Sequence, residues 1–262
     1  VHPPGWRAPC SKFGHSYGMF KLMCHNNHML YLSIHSKKEG HKTFNCSTRY
    51  DWYVISTSLS DEDKLVNYKT TINDELGQVC YINMTTSIYG RMEWLPNYKF
   101  KETAKLLAKP GEDRCALLYD RTSYESKAKH MSPVLDDVFK YFCIHSTPAA
   151  GVRYMYSSTN DKGHFGVPKV IFGETGVANI VLDAEGIYGF TNKCMAIMLN
   201  PEGLTTDPTN LSEADFLDRG QELIAFIKGP IMADIMKRIT FSIIAFNHFA
   251  LRYFKKEFWK II

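Results

Sequence analysis

Between Val152 and Phe172 the chain sets Arg, Tyr, Asn, Lys and His at short intervals, in the run VRYMYSSTNDKGHFGVPKVIF. These are the residue types that touch a polyanion: Lys and Arg neutralise phosphates, while Asn, His and Arg reach base edges. In Arg153-Tyr154-Met155-Tyr156 the two-residue period of a strand puts Tyr154 and Tyr156 on one face, Arg153 and Met155 on the other. The tyrosine face suits stacking on a distorted duplex, and equally suits a half-buried sheet. Ser157 to Phe165 reads as a polar loop tip, with Asn160 and His164 placed to read bases and Lys162 to hold a phosphate. The alternative there is an ordinary solvated turn. Lys169 is a lone charge in the apolar run Pro168–Phe172, aimed at DNA or guarding a strand edge. Tyr188-Gly189-Phe190-Thr191 forms a compact turn that offers Tyr188 and Thr191 to a binding surface.

Other chemistries have less support. A metal-dependent nuclease commonly needs an Asp followed by a Glu-x-Lys pair on a strand, to hold Mg²⁺ and activate water. Asp120 with Glu125-Ser126-Lys127, and Glu62-Asp63-Lys64, match that pattern in turn-like sequence where a rigid strand is not expected. The ten histidines show no metal-binding spacing, and His25, His28, His35 and His41 read as surface or turn residues. There is no P-loop and no Gly-x-Ser-x-Gly elbow. An amino-methyltransferase needs a Gly-rich turn for the methyl donor and an acid or amide followed by Pro-Pro and an aromatic. The chain contains no Gly-x-Gly, and its one Pro-Pro, in His2-Pro3-Pro4-Gly5, ends in a glycine that cannot stack on adenine.

The elements that must carry these residues read as mixed α/β. Met19–Met23 is a short helix candidate, Leu30–Ile34 alternates like a strand, and Trp52–Ser56 reads as a buried strand. Asn73–Gly77 marks a hairpin tip, and Phe100, Ala104, Leu107 and Ala108 have helical spacing before the stop at Pro110-Gly111. Cys115–Tyr119, Val152–Ser158, Val167–Phe172, Asn179–Asp183 and Cys194–Leu199 are candidate strands, and residues 201–211 a linker. Ser212 and Asp215 suggest a capping box for a helix presenting Phe216, Leu223, Ile224 and Ile227 and ending at Gly229-Pro230. A second helix carries Ile231, Ile235, Ile239 and Ile243 as a core stripe.

Net charge is +4, unevenly spread: residues 1–60 and 228–262 each carry seven Lys/Arg against two acids, and the middle is acidic. Two basic ends suggest surfaces that converge on phosphates, or else a solvated surface with a cationic tail. Seven scattered cysteines without a C-x-x-C pair point to reduced thiols in a cytosol-like compartment. No apolar run reaches membrane-spanning length.

The run HSTPAAGVRYMYSSTNDKGHFGVPKVIFGETG, followed by DAEGIYGFTNKCMAI, resembles the C-terminal region of restriction-modification-type N6-adenine DNA methyltransferases of bacteria and large DNA viruses. The resemblance extends to VHPPGWRAP at the start, to NCSTRYDWYVI, and to the tail RYFKKEFWKII. It implies a mixed α+β fold: a partial methyltransferase-like α/β domain in residues 1–120, then a strand-rich target-recognition domain with C-terminal helices in 121–262. In that family a segment like His2–Arg7 follows the catalytic loop, so the donor site and the loop are expected before Val1. The chain alone then binds no S-adenosylmethionine unless a complementary half supplies the site. Arg49, Tyr50 and Trp52 correspond by resemblance to the neighbourhood of the flipped-base pocket; as plain sequence they read as a core strand with an Arg49–Asp51 pair at its mouth. The expected partner is double-stranded DNA, in the cytoplasm of a bacterium or virus-infected cell, or in a virion. Two alternatives stand beside this: a non-enzymatic structural or virion protein derived from such an enzyme and, more distantly, a site-specific endonuclease.

Overall fold

Alternation along His28–His35 buries Leu32 and Ile34 on one side and leaves Tyr31 and His35 on the other, and this strand, β1, organises the first half of the molecule. The computed structural model describes residues 1–8, 19–57, 69–84, 94–199, 213–241 and 247–261. Within them the fold is mixed α+β, with three four-stranded sheets and C-terminal helices. The chain forms two compact units: residues 1–114 with 234–262, and residues 115–233.

In the first unit β1 pairs antiparallel with β2 (Tyr50–Ser56) and parallel with β3 (Thr70–Asn73), and β3 pairs antiparallel with β4 (Val79–Ile82), giving the order β2-β1-β3-β4. The hairpin tip lies where expected: Gly77 has φ +77°, and Asp74 Oδ1 accepts the N–H groups of Leu76 and Gln78, each at 2.9 Å. One face of the sheet packs Leu32, Ile34 and Ile72 against Phe20, Met23 and Phe100. The expected buried strand at Trp52–Ser56 is corrected: Trp52 and Val54 are exposed, and only the alternate residues Tyr53 and Ile55 reach the core. An aromatic and β-branched run fits a half-buried surface as well as a core.

Helix α1 (Lys37–Phe44) starts from a full capping box of Ser36 and Glu39 and ends on Asn45 in the left-handed conformation. Helix α2 (Phe100–Leu106) is shorter than its apolar spacing implied. Leu107 leaves it to bridge Phe254, and Ala108 N–H donates to Tyr253 O. That tail is what returns residues 234–262 to the first unit. Asn97 donates from its amide to Lys237 O and Thr240 O at 2.9 and 2.8 Å. Asp234 gathers Tyr98, Lys99 and Arg238. Phe254 and Phe258 are fully buried. The observed division therefore differs from a cut at 120 by giving the last 29 residues to the first unit.

The second unit holds two sheets. In one, β5 (Leu117–Leu118), β9 (Lys169–Gly173), β10 (Gly176–Asp183) and β12 (Cys194–Met198) run antiparallel in the order β10-β9-β12-β5. β9 is central and buried throughout. In the other, β6 (Met131–Ser132), β7 (Tyr141–Ser146), β8 (Arg153–Ser157) and β11 (Gly189–Phe190) take the order β11-β7-β8-β6. Helix α3 (Glu213–Lys228) packs on β10 and β9 with Leu223 and Ile227 buried, and Gly220 lets it close on Leu182, whose Cδ1 would lie 2.2 Å from an added Cβ. Helix α4 (Pro230–Arg238) corrects the isoleucine stripe: Met232, Ile235 and the following Ile239 are buried, while Ile231 is exposed. A strict spacing of four drifts about 40° per step around a helix, so the buried line shifts to a mixed three-four spacing. Ile243, Ser212 and the 201–211 linker lie outside the described residues.

Candidate nucleic-acid interface

The alternation expected around Tyr154 holds. β7 and β8 pair with Phe142 opposite Tyr156 and Ile144 opposite Tyr154, so Tyr154 and Tyr156 share a face with Phe142. Phe142 stands edge-on to Tyr154 (6.0 Å between ring centroids, 81°) and to Tyr156 (5.1 Å, 80°). Tyr188 lies against Tyr154 at 6.2 Å. Phe142 and Tyr154 are each more than a third exposed, and Met155 and Cys143 on the opposite face are buried. Arg153 is exposed at the start of β8, and Asn160 and Lys162 are exposed in the turn after it. That turn is built: Thr159 Oγ1 donates to Asp161 Oδ1 at 2.6 Å, Lys162 N–H donates to Tyr124 Oη at 3.2 Å, and Gly163 takes φ +79°. Phe142 escaped the sequence reading, although Tyr141-Phe142-Cys143-Ile144 carries the β-rich composition that could have flagged it.

Three residues expected on this surface lie inside instead. His164 is buried, stacked on Phe190 at 4.0 Å, with Nδ1 accepting the Phe190 N–H at 3.3 Å. Burial, helped by the charge of Lys169, lowers its pKa to about 4, so it is a neutral core ring and not a base reader. Lys169 is fully buried and donates to Asp183 Oδ2 at 2.5 Å and to Val167 O at 3.0 Å, so it holds no phosphate. Thr191 is buried too, with Oγ1 donating to His145 O at 3.0 Å. Each sits in a short polar run that looks like surface, but its partners come from 14 to 46 residues away in sequence.

In the first unit Arg49 is bound to Glu75, with contacts of 3.1–3.2 Å, instead of to Asp51. Asp51 is buried and takes Trp6 Nε1 at 2.9 Å and Arg7 Nε at 2.8 Å. Arg7 also donates to Leu95 O and Pro96 O. Within the His2–Arg7 segment Pro4, Trp6 and Arg7 are therefore buried. Tyr50 stacks on His35 at 4.4 Å and Trp52 on Tyr31 at 4.9 Å.

Ser33 Oγ lies 2.9 Å from His35 Nε2, and His35 Nδ1 3.5 Å from Glu39 Oε1, the order of groups in a hydrolase triad. Ser33 is nevertheless 2% exposed in mid-strand, with strands on both sides, so an acyl group has no approach to it. Glu39 is already engaged by the Ser36 N–H at 2.8 Å. The trio fastens α1 to β1.

Asp120 of the nuclease-like pattern accepts from Thr122 N–H at 2.7 Å, Thr122 Oγ1 at 2.8 Å and Ser123 Oγ. Burial is the largest single influence and raises its pKa, but the hydrogen bonds from Thr122 and Ser123 together outweigh it and hold it at about 2. Glu125 and Lys127 are exposed and lie on no strand. Among the described residues no group of three or more His, Cys, Asp or Glu side chains could hold a metal ion. The Glu62–Lys64 pattern lies outside them. The described cysteines Cys24, Cys46, Cys80, Cys115, Cys143 and Cys194 are free thiols, and no described helix is long and apolar enough to cross a membrane.

No family model matches the chain, and no curated protein or solved structure does so either. Its charge is sharply divided between the units. The first carries 21 Lys/Arg and 13 Asp/Glu, a net +8; the second carries ten and 14, a net −4. The first basic end and six of the seven Lys/Arg of the second therefore belong to one unit.

Proposed function

We propose that this protein recognises double-stranded DNA in a sequence-dependent way, as the target-recognition part of an adenine-N6 methylation or restriction-modification system, and does not transfer methyl groups by itself. The observation that carries the reading is the aromatic face of β7 and β8, where Phe142 and Tyr154 are exposed and Tyr156 and Tyr188 half-buried, together with the exposed Arg153, Asn160 and Lys162 at the start of β8 and in the turn after it. Exposed rings stack on bases of any identity, and Arg and Asn discriminate base edges. Taken by itself, the first unit carries a net +8, which favours a polyanion as its partner. A methyl donor would be held by a complementary methyltransferase half, with S-adenosylmethionine bound there.

A mobility-shift series on duplex DNA from low to high salt tests this. Affinity is expected to fall steeply with salt; no binding at low salt overturns the reading. Lys162→Ala should weaken binding to all duplexes, and Asn160→Ala should remove about 1–3 kcal/mol of preference for one sequence. A second reading, a non-enzymatic structural or virion protein, is favoured by the exposed apolar side chains Val134, Leu135 and Val138, which suit a protein contact.

A further inference from the structure

Asp183 closes β10 with both carboxylate oxygens engaged. Oδ1 accepts the Ile187 N–H at 2.8 Å, and Oδ2 accepts the Tyr188 N–H at 3.1 Å and the Lys169 ammonium at 2.5 Å. The side chains of Lys169 and Asp183 are 0% and 1% exposed. The pair is not needed to join the strands, because β9 and β10 are already in register from Phe172 and Ile180 to Lys169 and Asp183. An apolar pair of similar size commonly replaces a buried ion pair without loss of stability. It cannot, however, accept two N–H groups from a turn.

That turn is held at a second point. Gly186 O accepts the Gly166 N–H at 2.8 Å, and Gly186 takes φ +73° with an added Cβ only 2.4 Å from Val167 N. The turn thus presents Ile187, 52% exposed, and sets Tyr188 against Tyr154. The geometry points to a positioning role: we infer that the Lys169–Asp183 pair holds the 183–188 turn so that Ile187 and Tyr188 meet DNA bases beside Tyr154 and set sequence preference. The inference rests on the DNA reading above.

The test compares the parent with Lys169→Met/Asp183→Leu, with Asp183→Asn and with Tyr188→Ala. Thermal unfolding, amide hydrogen exchange at Ile187 and Tyr188, and binding to a duplex selected from a random pool against the random pool are measured. The double variant is expected to unfold near the parent temperature, to exchange at both amides about tenfold faster or more, and to lose about tenfold or more of its preference. Its binding to random duplex should be unchanged, and Tyr188→Ala should show the same loss of preference. Asp183→Asn, which keeps one acceptor oxygen, should free one amide and lose part of the preference even if the double variant fails to fold. Unaccelerated exchange shows that the pair does not hold the turn; accelerated exchange with full preference shows that the turn does not read bases. Either outcome overturns the inference. A parent that binds no DNA instead overturns the functional reading, while the exchange measurement still decides whether the clamp exists.

Discussion

Acidification should weaken the second unit through His164, and the amount follows from its surroundings. The ring is 1% exposed, and no hydrogen-bond partner reaches Nε2 among the described residues. Burial, then the nearby Lys169 charge, lowers its pKa from 6.5 to about 4. The folded pKa lies below the unfolded one, so the unfolded chain takes up the proton first as pH falls. The stabilisation is complete above pH 6.5 and is lost progressively down to about pH 4. The full effect is about 3 kcal/mol at about 1.36 kcal/mol per pH unit, and most of it is gone by about pH 4.5. His164→Asn keeps an acceptor for the Phe190 N–H and removes the titration. It should be less stable than the parent at neutral pH, because the stack on Phe190 is lost, yet lose about 2–3 kcal/mol less than the parent between about pH 7.5 and 4.5. Urea unfolding of both proteins at the two pH values, followed by near-UV circular dichroism, reads this difference directly, since all other titrating groups are common to both. Equal pH dependence in the two proteins would refute the argument that His164 is held neutral by burial.

Gly186→Ala should destabilise by about 3 kcal/mol, because a left-handed φ and a backbone clash coincide there, whereas Gly77→Ala, left-handed but with open space, should cost about 1 kcal/mol; thermal unfolding separates them. Arg7→Met should lower stability by about 3–5 kcal/mol by leaving the buried Asp51 carboxylate without its guanidinium, which denaturant titration measures. Lys101→Glu and Lys105→Glu, on the exposed side of α2, should each reduce the slope of log affinity against log salt by about 1 where the lysine meets a phosphate, and Asn160→Ala should leave that slope unchanged.

Much of the fold was legible in the residues themselves. Period-two alternation marked β1 and β8, the runs Asn179–Asp183 and Cys194–Leu199 read as strands where β10 and β12 lie, the Asp74–Gly77 turn announced itself by composition, and Leu223 and Ile227 marked the buried stripe of α3. These signals are local: a strand or helix must hide one face, and the spacing of its apolar residues says which. The exposed part of the candidate site was legible for the same reason, since Tyr154 and Tyr156 stand opposite Met155.

Tertiary structure alone decided the rest. Whether a polar side chain faces water depends on partners that no local window contains: Asp183 draws Lys169 inward, Phe190 covers His164, and His145 receives Thr191. The same holds for charge. The two basic ends read as separate surfaces along the chain, and they join one unit because Asn97 binds the backbone at Lys237 and Thr240 and because Phe254 and Phe258 find a core there. Alternation is fixed by the geometry of a few consecutive residues. Burial of a charge is fixed by where the chain brings its opposite, and that is set only when distant segments pack.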